Sequence, residues 1–186
     1  MNLEQEKYAR YALVREMMEA IALTEKFDPA RSLEVAAAIK KAGQLLLTGE
    51  GSSRIFPAKN AIRKALTRGL DLAVVTEGAR QAAGYDLSRF AVFCASNSGK
   101  TREVVLLAQK LAAAGHLNRF ALCAHHDTPL EQACVQTFVL NCGREEAVAA
   151  TKSVVEQALF YDSLLWHLGA PPQTGWQAEL AGSLRT

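Results

Sequence analysis

Residues 90–101 are Phe-Ala-Val-Phe-Cys-Ala-Ser-Asn-Ser-Gly-Lys-Thr, an apolar run that changes abruptly into a hydroxyl-rich turn. The run has the length and the aromatic and β-branched content of a buried strand, and the residues that follow Thr101 have the pattern of a helix. Free backbone N–H groups at the start of a helix lie at the positive end of its dipole, so they bind anions. One hydroxyl, Ser96 or Ser98, could serve only as the helix cap, but three hydroxyls within six residues exceed what a cap requires. We therefore predict an anion site at this turn, where Gly99 allows close backbone approach and Lys100 adds a positive charge.

Length and composition limit the possible classes of protein. A chain of 186 residues, 49% of them hydrophobic, is long enough for one well-buried domain, and we expect one domain with its core at about residues 30–170. The formal net charge of +2 favours neither nucleic acid nor a membrane surface as a partner. The N-terminus is charged where a signal peptide is apolar, and no apolar run is long enough to span a membrane, so we expect a cytoplasmic protein. The four cysteines lack metal-ligand spacing and are interpreted as buried thiols.

A second unit of the same kind lies earlier in the chain. The apolar run Leu45–Thr48 is followed by Gly49-Glu50-Gly51-Ser52-Ser53-Arg54 and then by a helical pattern through Ala58, Ile62 and Ala65. If the two strands are parallel neighbours, their turns share one edge of the sheet and can converge on one ligand.

The remaining chain alternates between strands and helices. Apolar strands with helices between them indicate a parallel sheet that is covered on both faces. The tail after Pro171 has only a weak pattern, and we expect it to be loose and peripheral. The further predicted strands are 72–75, 120–124 and 137–140, and the predicted helices include 28–43, 102–114, 129–133 and 147–168.

Three segments together resemble the sugar isomerase (SIS) domain family, which includes the isomerase domains of glucosamine-6-phosphate synthase and single-domain phosphosugar isomerases. They are the turn at residues 49–53, the turn at residues 96–101, and Glu145-Glu146-Ala147-Val148-Ala149-Ala150-Thr151-Lys152. The resemblance implies an α/β three-layer sandwich with a five-stranded parallel sheet, flavodoxin-like in topology. It also implies that a sugar phosphate binds at the carboxyl ends of the strands.

The resemblance assigns binding roles residue by residue. Asn97 occupies the place of a glutamine that contacts the sugar in relatives, and Val148 belongs to a segment that lines the sugar pocket. The residues predicted to surround the phosphate are Gly51, Ser52, Ser53, Ser96, Ser98, Lys100 and Thr101.

Aldose–ketose isomerisation needs a base that moves a proton between neighbouring carbons and a group that opens the sugar ring. The family glutamate on the helix after the first turn is missing, because residues 55–68 contain no Asp or Glu. Glu145 is our first choice for the base, and Lys152 lies beside it in the sugar-lining segment. The other candidates for the base are Glu50, Glu77 and Glu146. His167 is a candidate acid–base group, supplied across a subunit interface. The alternative is that His167 is an exposed residue near the end of a helix, where the helix dipole favours its charge, and has no catalytic role.

Three hypotheses for function follow. The first is a phosphosugar enzyme, either an aldose–ketose isomerase or an amino-sugar-phosphate deglycase or deaminase; the second is a phosphosugar sensor without catalysis. The third, a nucleotide-binding module, is disfavoured because the chain lacks GxGxxG and a lysine-terminated phosphate loop. We expect no metal and no cofactor. The apolar surfaces of the N-terminal helix and of the last long helix predict a homodimer or homotetramer.

Overall fold

The computed structural model describes residues 5–172 and 174–185. Its centre is a five-stranded sheet in which every strand pair is parallel and the order is β2-β1-β3-β4-β5. This is the predicted α/β sandwich with flavodoxin-like topology. The strands are β1 (Gln44–Gly49), β2 (Ala73–Gly78), β3 (Ala91–Ala95), β4 (Arg119–Cys123) and β5 (Gln136–Val139).

Helices cover both faces of the sheet. The described helices are α1 (Glu6–Ala9), α2 (Ala12–Lys26), α3 (Leu33–Ala42), α4 (Ser52–Thr67), α5 (Ala79–Ala82), α6 (Arg102–Ala113), α7 (Pro129–Ala133), α8 (Lys152–His167) and α9 (Trp176–Arg185). A short 3-10 helix, Pro29–Ser32, precedes α3 and is capped by Asp28. None of these helices is long and apolar enough to cross a membrane.

Alternate residues of each strand face two separate apolar cores, as the period of a strand requires. On one face, Phe93 lies among Phe120, Phe138 and Phe160 and packs beneath α3, α4 and α8. On the other face, Leu46, Val92 and Cys94 pack against α5, α6 and α7. This two-sided burial explains why the strands are apolar throughout.

Two sequence-based expectations are wrong in their details. The helix predicted from Ala147 begins five residues later, at Lys152, because side chains hold the preceding backbone in an irregular loop. The tail after Pro171 was expected to be loose, but α9 packs on α2, where Gln177 donates to the carbonyl of Phe27 at 2.8 Å. Trp176 of α9 also lies edge-on to Trp166 of α8.

Part of the apolar surface that suggested an oligomer is covered within the chain. Leu159 and Leu164 of α8 are buried in the core, and Trp166 packs against α9. Leu13 and Met17 of α2 stay exposed to 41% and 49%. The prediction of an oligomer therefore rests on α2 alone.

Candidate functional site

The two glycine-containing turns lie side by side at the carboxyl edge of the sheet. The ends of the flanking strands are in register, with Gly49 of β1 opposite Ala95 of β3. A Cβ atom on Gly49 would lie 2.9 Å from the carbonyl oxygen of Ala95, so the approach of these strand ends requires glycine. The strand order reverses between β1 and β3, which is the point where parallel α/β sheets bind ligands.

The turn after β3 is internally hydrogen-bonded. Ser96 is buried, and its Oγ lies 2.7 Å from Oγ1 of Thr101, the residue that precedes α6. Oγ of Ser98 accepts a hydrogen bond from the backbone N–H of Lys100 at 3.2 Å. The ammonium group of Lys100 is on an exposed residue at the start of α6. Four of the residues predicted to surround the phosphate thus lie within one ordered turn.

Gly99 fixes the shape of this turn. Its φ is +64°, and an added Cβ would lie 2.5 Å from the side chain of Thr128. Thr128 is buried and forms a capping box with Glu131 at the start of α7, so it has no room to move. The backbone of Gly99 therefore packs directly on α7.

The turn after β1 is more open. Gly51 has φ +53°, and nothing lies within 4 Å of the position that its Cβ would occupy. Ser52 and Ser53 form the first turn of α4, and their hydroxyls have no hydrogen-bond partner in the described part of the chain. The turn is joined to α8 by Gln157, whose Nε2 donates to the carbonyl oxygen of Ser53 at 2.5 Å.

Asn97 and Glu145 meet at the same edge. Nδ2 of Asn97 donates to Oε2 of Glu145 at 2.8 Å, while Oδ1 of Asn97 is buried without a hydrogen-bond partner among the residues that the structure describes. A buried acceptor without a donor costs free energy, so this oxygen is suited to a donor supplied by a ligand.

The Glu145 carboxylate is occupied by donors from the chain itself. Besides Asn97, it accepts from the backbone N–H groups of Thr151 and Ser153, both at 2.9 Å, and from the Ser153 hydroxyl at 2.7 Å, and Oγ1 of Thr151 lies 2.8 Å from its Oε1. Burial raises the pKa of Glu145, but these hydrogen bonds outweigh it, and the pKa lies below its ordinary value. A carboxylate with a lowered pKa and no free lone pair is a poor base. Glu145 as the catalytic base stays a prediction that these contacts disfavour.

Lys152 is held by acidic groups of the N-terminal region. It is the first residue of α8, is buried, and its Nζ lies 2.6 Å from Oε2 of Glu19 on α2. The Glu19 carboxylate raises the pKa of Lys152 against the opposing effect of burial. This ion pair offsets the unfavourable position of a cation at the start of a helix.

Two other acidic candidates stand at the ends of β1 and β2. Oε1 of Glu77 accepts from the N–H of Gly78 at 2.8 Å, and its Oε2 accepts from the Tyr85 hydroxyl at 3.2 Å. Oε1 of Glu50 accepts from the N–H of Ala79 at 3.0 Å, and its Oε2 has no partner among the described residues. Glu50 thus has a free carboxylate oxygen at the end of β1, on the side of that strand where β2 ends and α5 begins.

The remaining predicted site residues are less closely associated with the two turns. His167 is at the far end of α8, about 22 Å along the helix from Lys152, and its Nε2 lies 2.9 Å from the carbonyl oxygen of Pro29. Val148 is fully exposed at the tip of the loop before α8. Glu146 is also exposed and pairs with Arg15 at 3.2 Å. Among the residues that the structure describes, no group of His, Cys, Asp and Glu side chains is arranged to hold a metal ion.

Two residues that contact the site were not predicted from the sequence. Glu16 of α2 and Gln157 of α8 are both buried, and each connects a distant helix to the edge of the sheet. Ala20 and Thr24, one and two helical turns after Glu16, are also buried, so Glu16 lies on the buried face of α2. A carboxylate on such a face needs partners inside the protein, and this was the sequence signal that could have identified Glu16.

Comparisons with known proteins agree with this geometry. The family model described as the SIS domain matches residues 38–166. A search of curated proteins found no match.

Solved structures share the fold over most of the chain. A protein of Silicibacter pomeroyi DSS-3 that is assigned to the phosphosugar isomerases is 25% identical, with a TM-score of 0.70 over 93% of this chain and 54% of its own. A protein of E. coli CFT073 in complex with a sugar phosphate is 17% identical, with a TM-score of 0.70 over 98% and 100% of the two chains. Glucosamine-6-phosphate deaminase of Thermotoga maritima is 23% identical, with a TM-score of 0.65 over 92% of this chain and 53% of its own. The chain spans about half the length of the first and third of these proteins.

Proposed function

This chain belongs to the SIS domain family, and we propose that it binds a phosphosugar at the carboxyl edge of its sheet. The observation that carries the proposal is the adjacency of the two turns, which brings the starts of α4 and α6 together at the switch point between β1 and β3. The E. coli CFT073 protein, solved with a sugar phosphate bound, has the same fold and supports this ligand class.

The phosphate lies at the two turns in this proposal. Ser98 and Thr101 donate to it from the turn after β3, with Ser96 behind them and Lys100 beside them. Gly51, Ser52 and Ser53 complete the contact from the turn after β1. The free Oδ1 of Asn97 accepts a hydrogen bond from a sugar hydroxyl, and Val148 covers the sugar from the loop.

The phosphate site is tested with a double substitution. We expect Ser98→Ala combined with Thr101→Ala to cost about 1.5–3 kcal/mol of binding free energy for each charged hydrogen bond removed. Isothermal titration calorimetry against hexose and amino-hexose 6-phosphates measures the effect, and Ser88→Ala, outside both turns, is the control. A double variant that binds like the parent would place the site elsewhere.

The chemistry that fits this site best is aldose–ketose isomerisation or amino-sugar-phosphate deamination. Both begin with removal of a proton from the carbon beside a carbonyl or imine. Glu145 was the first choice from the sequence, but its oxygens are occupied, so we now assign the base to Glu50 or Glu77. We assign Lys152 and His167 no direct part in the proton transfer. Lys152 is paired with Glu19, and His167 contacts the carbonyl oxygen of Pro29.

Proton exchange distinguishes these candidates. The parent is incubated with the same panel of sugar phosphates in deuterated water, and deuterium is measured at the carbon beside the carbonyl. Exchange that is lost in Glu50→Gln or Glu77→Gln, but kept in Glu145→Gln, supports the assignment. Exchange lost only in Glu145→Gln restores the sequence-based choice.

A phosphosugar sensor is the second candidate function. Two observations favour it: α4 carries no Asp or Glu, and the Glu145 carboxylate is saturated. Tight binding without exchange or turnover by the parent would establish this role and exclude the enzyme.

We also propose that the chain forms a homodimer or a homotetramer through α2. Leu13 and Met17, which lie one turn apart, form an exposed apolar strip on this helix. Light scattering at micromolar concentration is expected to give twice or four times the mass of the chain. A monomer that persists at this concentration contradicts the proposal.

A further inference from the structure

The loop Arg144–Ala150 has no regular structure, and its backbone is held by carboxylates. Oε1 of Glu16, a buried residue of α2, accepts from the N–H of Glu146 at 2.5 Å and from that of Ala147 at 3.1 Å. Without Glu16, both N–H groups would lack a partner within the described ranges 5–172 and 174–185. One side chain near the N-terminus therefore fixes the middle of a loop that is about 130 residues away in sequence.

Glu16 reaches further through the hydroxyl of Thr151. Oγ1 of Thr151 lies 2.6 Å from Oε2 of Glu16 and 2.8 Å from Oε1 of Glu145. The hydroxyl has one proton and can donate it to only one of the two carboxylates at a time. Oε1 of Glu145 already accepts two backbone N–H groups, so the proton is available to Glu16.

The same path ends at the candidate site. Oε2 of Glu145 accepts from Nδ2 of Asn97, and this contact fixes which way the amide faces. Oδ1 of Asn97 is then left buried without a donor at the carboxyl edge of the sheet. Glu16, Thr151, Glu145 and Asn97 are thus linked in turn, because the Thr151 hydroxyl donates to Glu16 while the Thr151 backbone N–H donates to Glu145. We call this series of contacts the Glu16 path.

We propose that Glu16 is a positioning residue that sets the orientation of the Asn97 amide, and so the affinity for the ligand, through Thr151 and Glu145. The link to affinity rests on the proposed phosphosugar function, whereas the link to Asn97 does not. We assign Glu16 no contact with the ligand, because Glu16 is buried and its carboxylate already accepts from three donors of the chain.

Two neighbours of Glu16 on α2 also form ion pairs in this region, one with the loop and one with the start of α8, but their side chains are more exposed than that of Glu16. Arg15 pairs with Glu146, and both side chains are largely exposed. Glu19 pairs with Lys152 from a side chain that is 56% exposed. Exposed pairs contribute little, whereas the Glu16 carboxylate is 5% exposed and has three donors. The Glu16 path is therefore the connection with the strongest geometry.

The substitution Glu16→Gln tests the path directly. A glutamine has one acceptor oxygen instead of two, so it cannot serve both the backbone N–H groups and the Thr151 hydroxyl. The freed hydroxyl then donates to Glu145, whose carboxylate is shared among more donors, and the hydrogen bond from Asn97 weakens. The matched control is Glu25→Gln, which removes a carboxylate from the same helix but changes only a contact with Arg185 on α9.

The readout is the side-chain amide of Asn97 in the 1H–15N spectrum of the ligand-free protein, identified by its loss in Asn97→Ser. We expect upfield movement of its protons in Glu16→Gln and no change in Glu25→Gln. If Glu16→Gln does not fold, Thr151→Val interrupts the path at its next step. An unchanged Asn97 signal in a folded Glu16→Gln or Thr151→Val variant overturns the proposal.

Ligand affinity is measured second, by calorimetry with the sugar phosphate that the parent binds most tightly. We expect about tenfold weaker binding in Glu16→Gln and parental binding in Glu25→Gln. If the parent binds no sugar phosphate, the proposed function fails while the Asn97 signal still decides the role of Glu16. If the Asn97 signal moves and affinity does not change, the link from Glu16 to the ligand is refuted.

Discussion

The two turns at the carboxyl edge have similar sequences and opposite degrees of internal order. In the turn after β3, Ser96 and Thr101 bond to each other, and Leu130 of α7 donates its N–H to the carbonyl of Gly99. In the turn after β1, the hydroxyls of Ser52 and Ser53 have no partner among the described residues. The turn after β3 therefore has its shape before a ligand binds, whereas the turn after β1 can still orient its hydroxyls toward a ligand. Pre-organised contacts lose less entropy on binding, so the two turns are expected to contribute differently to stability and to affinity.

The largest difference is expected at the glycines. Gly99→Ala places a methyl group 2.5 Å from the buried Thr128 side chain at φ +64°, and we expect a loss of about 3 kcal/mol in the free energy of unfolding. Gly51→Ala meets no neighbour, so only backbone strain is expected, and at φ +53° and ψ −132°, outside the left-handed helical region, this strain is about 2 kcal/mol. Urea unfolding monitored by circular dichroism measures both. Equal losses would mean that the turn after β3 is no more rigid than the other.

A smaller difference is expected at the hydroxyls. Thr101→Val keeps the shape of the side chain but removes the hydroxyl partner of the buried Ser96, whose Oγ keeps only the backbone N–H of residue 101 at 3.4 Å, at a cost of about 1 kcal/mol in unfolding free energy. Ser53→Ala removes a hydroxyl without a partner, so stability is expected to stay within about 0.5 kcal/mol of the parent. Thermal unfolding compares the two variants, and affinity for a sugar phosphate is expected to fall in both. A stability loss in Ser53→Ala as large as in Thr101→Val contradicts the comparison.

The sequence predicted the elements whose conformation is set locally. The runs that form β1, β3 and β4 are apolar because both faces of the sheet are covered, and their ends were predicted within one or two residues. β2 extends to Gly78, beyond the predicted Val75, because Thr76 and Glu77 are tolerated on an edge strand. Residue patterns of this kind indicate elements well and their ends less well.

The parts that were missed depend on contacts between distant residues. The loop before α8 has helix-forming residues, yet Glu16 and Glu145 take the N–H groups of residues 146, 147, 151 and 153 and keep it irregular. No local pattern around Ala147 contains this information, because the decisive carboxylate lies in α2. The Glu145 base was preferred because the family segment placed it near the sugar, and only the structure reveals how many donors surround it.

The smallest expected difference concerns the way each turn is tied to the α8 region. The turn after β1 is held by the neutral amide of Gln157, whereas Asn97 in the turn after β3 is held by the Glu145 carboxylate. The pKa of Glu145 is lowered from 4.5, so its contribution to stability is complete above about pH 4.5 and is lost as the pH falls through the folded-state value.

An acid titration of the side-chain amide signals tests this difference. We expect the Asn97 amide to move with a midpoint below pH 4.5 and the Gln157 amide to stay constant over that range. Glu156, next to Gln157, has its pKa raised by burial, so any response of Gln157 to it occurs at higher pH and is separable. In Glu145→Gln the larger part of the Asn97 titration is expected to disappear, because the titrating acceptor is gone. Any remaining movement reports Glu16, in which hydrogen bonds outweigh the effect of burial and also lower the pKa. The comparison is contradicted if the Asn97 midpoint lies above pH 4.5, or if the Gln157 amide signal moves together with that of Asn97. Either result would mean that the Asn97–Glu145 and Gln157–Ser53 contacts do not differ in their response to pH as predicted.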